Sequence, residues 1–162
     1  MTKSVHLQVR MTPAQKAELK DRAQRAGEDM SAYVLSRVLP PLSLRFDELL
    51  RRVADDEERR FALAELNDFL ADLGSGELEE AVGEARLERL TPYLRNYVAA
   101  MVEHVANRRG VPPPAWVRKV PPLDEPHFAT ELAGLRFHLL RAAPVAFKRR
   151  NVFVDATVGD RV

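Results

Sequence analysis

The sequence predicts a mainly α-helical chain that opens with one short strand, and three observations carry that prediction. Ser4 to Met11 alternate strictly, with Val5, Leu7, Val9 and Met11 on one face and His6, Gln8 and Arg10 on the other. That period of two marks a half-buried strand. Thr12-Pro13 and Thr91-Pro92 each set a capping hydroxyl before a proline suited to the first helical turn. Between and beyond them, apolar residues recur every three or four positions, the spacing of helix faces that pack on a core.

In order along the chain, Thr12-Pro13-Ala14-Gln15 reads as a capping box, because Gln15 can reach back to the backbone that Thr12 caps. The helix it opens carries Leu19, Ala23 and Ala26 on one stripe and stops at Gly27. Asp29 caps a second helix over Met30 to Leu39, with Val34 and Val38 on one face, and Pro40-Pro41 ends it. Phe46, Leu49, Leu50 and Val53 then mark a short amphipathic helix. The run Asp55 to Arg60 reads as a solvated helix start, and Leu63, Leu66, Leu70 and Leu73 as a helix stopped at Gly74-Ser75-Gly76. A further helix is expected over roughly Glu77 to Leu90. The longest and most central is expected from Pro92, striped by Leu94, Val98, Met101 and Val105 and closed by Arg108, Arg109 and Gly110. Val111-Pro112-Pro113-Pro114, Trp116 and Pro121-Pro122 read as an extended connector. A last helix is expected over Phe128 to Arg141, with Phe128, Leu132, Leu135 and Leu139 aligned, before a basic and apolar tail. The expected organisation is therefore a module over 1–40, a helical domain over 41–110, a connector over 111–126 and a C-terminal helix with tail over 127–162.

The 162 residues are 46% hydrophobic and 30% charged, enough to bury a core and too apolar for general disorder. The chain has no cysteine, which excludes disulfide frameworks, Cys-ligated zinc and thiol catalysis, and agrees with a reducing, cytoplasmic setting. No apolar run approaches the ~18 residues of a membrane span, and no leader sequence is recognisable. A net charge of +1 hides segregation: residues 1–40 hold seven Lys/Arg against four Asp/Glu, residues 41–90 seven against fourteen, and residues 91–162 eleven against six. A basic first module suits a polyanion, although unequally charged solvated helix faces would give the same count.

A strand and two helices in forty residues are too few to bury a core alone, and a lone strand leaves both edges unpaired. Two copies solve both problems, with the strands paired antiparallel over the helices and their polar faces outward. Such a two-stranded ribbon fits the major groove of double-stranded DNA. Arg10 can donate bidentately to guanine, Gln8 can pair with adenine, and His6 can serve either way. Lys3, nearer the chain end, falls to a phosphate. The pattern Val5-x-Leu7-x-Val9-x-Met11, Thr12-Pro13, Leu19, Ala23, Gly27, Ser31 and Val34 resembles the ribbon-helix-helix family of plasmid repressors and antitoxins. The resemblance implies a homodimeric repressor at an operator, base contacts from His6, Gln8 and Arg10, and a phosphate held by the Met30 and Ser31 amides. Glu28 and Asp29 depart from the family pattern by placing negative charge beside that phosphate.

The tail Ala142-Ala143-Pro144-x-Ala146-Phe147-x-Arg149-Arg150-Asn151-Val152-Phe153-Val154 resembles the end of bacterial antitoxin-type proteins paired with nucleotidyltransferase toxins. Together the two resemblances imply an autoregulating antitoxin that binds a cognate toxin through its helical part. A regulator sensing a small molecule in that part, and a structural dimer that never meets DNA, fit the same layout. Trp116, flanked by prolines, is either tucked onto its own domain or offered to a partner. Lys148, Arg149 and Arg150 are either a solvated cluster or a contact to an acidic partner or nucleic acid. No enzyme is expected and no cofactor is required: His6, His104, His127 and His138 lack metal-ligand spacing, Glu103-His104 reads as packing, and Gly74-Ser75-Gly76 precedes an acidic segment unsuited to phosphate.

Overall fold

The structure, a computed structural model, describes residues 8–38, 41–74 and 76–155. The chain forms two compact units, Met1–Pro40 and Pro41–Val162. The described residues are mainly helical, with two very short strands. Among them no helix is long and apolar enough to cross a membrane.

The first unit holds α1 (Pro13–Ala26) and α2 (Met30–Val38). Thr12 caps α1 as its sequence requires, accepting from the Gln15 amide at 3.3 Å, while the Gln15 side chain accepts from the Thr12 amide at 2.9 Å. Gly27 ends the helix at φ 72°, a left-handed conformation that costs an L side chain about 1–2 kcal/mol. The expected strand differs: residues 1–7 lie outside the described residues, and Gln8 to Thr12 form no strand in the single chain. A strand needs a ladder partner, and one copy supplies none.

The second unit is built on α3 (Leu42–Val53), α4 (Arg59–Asp72), the single-turn α5 (Leu78–Val82) and α6 (Pro92–Arg108). Then follow α7 (Ala115–Lys119), β1 (His127–Phe128), α8 (Ala133–Ala142), α9 (Val145–Lys148) and β2 (Val152–Phe153). Helix α6 is central as expected; it packs against α4, α7, α9 and β2 and buries Leu94, Val98, Met101 and Val105. Phe46 of α3 stacks on Phe69 of α4, and Phe147 of α9 meets the edge of Tyr97. Burial pushes the Tyr93 phenol up to about 12. At the surface, Arg52 bridges Glu58 and Glu65, and its hydrogen bond holds the Glu65 carboxyl below the usual range.

Three sequence expectations are corrected here. Only Leu78–Val82 is helical in the stretch 77–90. The segment after it is held by the Arg95 guanidinium, which donates to the carbonyls of Leu87, Glu88 and Leu90 at 2.9–3.1 Å. The proline-rich stretch contains α7 and packs on the core through Val117. Finally, Phe128 does not lie on the last helix. It sits in β1, paired in parallel with β2 (His127 with Val152, Phe128 with Phe153), where the two phenylalanine rings stack 4.9 Å apart.

Candidate nucleic-acid interface

The first unit has almost no interior: Ala23 is its one buried residue among those described. Val9 (61% exposed), Met11, Leu35 and Val38 (73%) all stand in solvent. Helix α2 buries nothing, although Tyr33 and Val34 are half-buried. In one copy the apolar face of residues 8–12 and the far side of α2 are therefore uncovered.

Val9, Arg10 and Met11 line one groove with Gln15, Leu19 and Arg22 of α1 and with Tyr33 and Arg37 of α2. Its lining joins apolar side chains (Val9, Met11, Leu19) with three arginines (Arg10, Arg22, Arg37) and one acid, Glu18. Arg22 is bound by Glu18 at 2.6 Å, which raises the guanidinium above its usual range, and the Arg37 guanidinium lies 5.3 Å from the Tyr33 ring centroid. Arg22, Tyr33 and Arg37 were not among the residues singled out from sequence. Their signal is the i, i+4 pair Tyr33 and Arg37 on α2, a neighbour relation on any helix surface.

Of the expected base readers, Gln8 and Arg10 are exposed, and Lys3 and His6 lie outside the described residues. The expected phosphate site is altered. The Asp29 carboxylate accepts from the Ser31 amide at 2.8 Å and from the Ala32 amide at 3.0 Å, so it occupies the Ser31 donor that a phosphate would take. Glu28 adds a second negative charge beside it, with the Ser36 hydroxyl 3.3 Å from its carboxylate.

The candidate partner residues of the second unit separate. Trp116 is half-buried against the core, and its indole Nε1 donates to the Val82 carbonyl at 2.7 Å. Trp116→Phe removes that donor and leaves the carbonyl unpaired, so the unfolding free energy should fall by about 1–3 kcal/mol in a urea titration. An unchanged midpoint would mean that the indole is not structural. Lys148 donates to the Arg141 carbonyl at 2.8 Å, and Arg149 is exposed. Arg150 is not a surface residue. It is 6% exposed, donates to the carbonyls of Val117 (2.8 Å) and Val120 (3.3 Å), and shares the buried Glu103 carboxylate with Arg149. Its neighbour in sequence misleads because the chain turns after α9 and sends adjacent arginines to opposite environments.

Comparison with curated proteins and with solved structures gave no match. Residues 1–74, the whole first unit with α3 and α4, match the family model of NikA-like proteins, described as mobilization protein NikA, a DNA-binding family of ribbon-helix-helix type to which this part of the chain is similar.

Proposed function

We propose that this protein is a homodimeric DNA-binding protein whose paired N-terminal strands enter the major groove. The observation that carries the reading is the match of residues 1–74 to a DNA-binding family. Two features of the first unit support it. Its uncovered Val9, Met11, Leu35 and Val38 are what a second copy would bury, and its outward Gln8 and Arg10 are suited to base edges. Asp29 weakens phosphate anchoring at α2, so affinity rests more heavily on the ribbon and on several dimers bound side by side.

The description of the matched family favours a mobilization role: a relaxosome-type accessory protein that marks a DNA transfer origin. The second reading, an antitoxin that represses its own operon, rests on the tail pattern Ala142 to Val154. In the structure Ala143, Ala146, Phe147 and Val152 to Val154 of that pattern are buried in the second unit's own packing, which leaves Arg149 as its main exposed polar element. The tail pattern therefore gives less support to toxin capture than its sequence alone implied.

A binding titration separates these readings. The protein is tested at two salt concentrations against inverted repeats from a transfer origin and against the DNA upstream of its own gene. Arg10→Ala should cost about 1–3 kcal/mol per copy and relax preference at two symmetry-related positions. Lys3→Ala should weaken all sequences alike and lower the salt slope. Retention of the transfer-origin DNA alone selects the mobilization role, and retention of the upstream DNA alone selects repression. Binding to neither would remove the DNA-binding reading.

A further inference from the structure

Every acid of the first unit is already occupied from within that unit. Glu18 binds Arg22, Asp21 binds Arg25, Glu28 receives the Ser36 hydroxyl, and Asp29 receives the Ser31 and Ala32 amides. Lys16 and Lys20 are exposed and have no partner among the described residues. They stand one turn apart on α1, the i, i+4 relation in which like charges repel. The other i, i+4 charge pairs of the helix, Glu18 with Arg22 and Asp21 with Arg25, set an acid against a base. At 3.6 residues per turn, Lys16 and Lys20 fall on one flank of the Leu19 and Ala23 stripe. Glu18 and Arg22 fall on the other flank, where they line the groove. Lys16 also begins where the ribbon segment ends, its amide donating to the Thr12 carbonyl at 3.0 Å.

We infer that Lys16 and Lys20 hold the DNA phosphate backbone, in place of the amides that open α2. The inference rests on the DNA-binding reading above and adds to it the residues that meet the backbone. A phosphate at α2 would have to displace the Asp29 carboxylate from the Ser31 amide and lie beside Glu28. That ground is negative, whereas the lysine flank of α1 is positive and has no acid of its own to neutralise it. A ribbon in the major groove has a phosphate chain along each side, and Lys16 lies one turn beyond the ribbon's end. Lys20 stands about 6 Å further along the helix axis, so one phosphate chain can meet both. Lysine suits the contact, because its ammonium is a point charge on a flexible stem and reads no base.

The test is a titration of the full-length protein against a transfer-origin duplex and an unrelated duplex of equal length, at four salt concentrations. Each lysine occurs twice in the dimer, and each neutralised phosphate contributes about 0.9 to the slope of log affinity against log salt. Lys16→Ala or Lys20→Ala should therefore make the slope shallower by about 2, and the double variant by about 4, on both duplexes. Arg25→Ala is the control. It removes the same charge from the far side of α1, and it should change the slope by less than half as much. Replacing both lysines by arginine should keep the wild-type slope. Alanine on an exposed helix face leaves the fold intact, which circular dichroism and sedimentation check. A double alanine variant that keeps the wild-type slope overturns the lysine contact and leaves DNA binding standing. An equal change for Arg25→Ala overturns it too, because the lysines would then act only through net charge. A wild-type protein that binds neither duplex removes both this inference and the reading it rests on.

Discussion

Glu103→Ala should lower the unfolding free energy of the protein by about 3–5 kcal/mol, read as the shift of the urea midpoint multiplied by the m-value. Glu103 sits in the middle of α6 with its side chain 10% exposed, and it faces an Arg150 side chain that is 7% exposed. Its two carboxylate oxygens each accept at 3.2 Å, one from Arg149 and the other from Arg150. Removing the carboxylate leaves the Arg150 guanidinium buried and uncompensated, with only the Val117 and Val120 carbonyls left to it. The cost lies in stranding that charge rather than in the worth of the pair, because two ions brought out of water regain little more than their desolvation. Glu103→Leu combined with Arg150→Met should therefore recover most of the loss. A Glu103→Ala protein within about 1 kcal/mol of wild type would mean that water reaches the pair, and a double variant no better than the single one would mean that Arg150 matters chiefly as the clasp between α9 and α7.

The helices that announced themselves in sequence are those whose ends are written locally. Thr12 and Thr91 each accept from the amide three residues on, and Gly27 and Gly110 each adopt a left-handed φ (72° and 67°). Asp29 likewise caps α2. What was illegible depends on partners far away in the chain. Residues 83–90 carry helix-compatible spacing, yet Arg95 takes their carbonyls. A segment with five prolines between 112 and 122 accommodates a helical turn because Trp116 is tied to Val82, thirty-four residues back, and Arg150 donates to the Val117 and Val120 carbonyls at the turn's end. Phe128 looked like the first residue of a helical stripe, but Phe153 pairs with it across a two-residue ladder that no local pattern encodes.

The candidate site divides in the same way. Alternation of apolar and polar residues marks Gln8 and Arg10 as outward on a strand, whereas in the single chain residues 8–12 form no strand and all are exposed, Val9 and Met11 included. The second wall of the groove, Arg22, Tyr33 and Arg37, comes from two helices folded on each other and was not singled out. The Asp29 carboxylate was recognised as a cap and as a negative charge. That it takes the Ser31 amide for itself is a fact of distance, visible only once the turn between α1 and α2 is built.

Val9→Asp should turn the protein into a monomer at micromolar concentration and abolish its retention of DNA. Val9 is 61% exposed in the single chain and lines the groove with Met11 and Leu19, so a second copy laid along it would bury the side chain. A carboxylate there loses its water without gaining a cation at its own depth, at a cost of several kcal/mol per copy. Each 1.4 kcal/mol is a factor of ten in the dissociation constant, so two copies of even a 2 kcal/mol penalty weaken the dimer by about 10³. Gln8→Asp is the matched control. It adds the same charge one position away on the outward face, so it should leave sedimentation unchanged while repelling phosphate and base edges and weakening DNA binding. Dimer by sedimentation with DNA lost for Gln8→Asp, and monomer with DNA lost for Val9→Asp, is the expected pair of results. A Val9→Asp protein that stays dimeric and still holds DNA would place the dimer contact outside residues 8–12 and remove the ribbon from the mechanism.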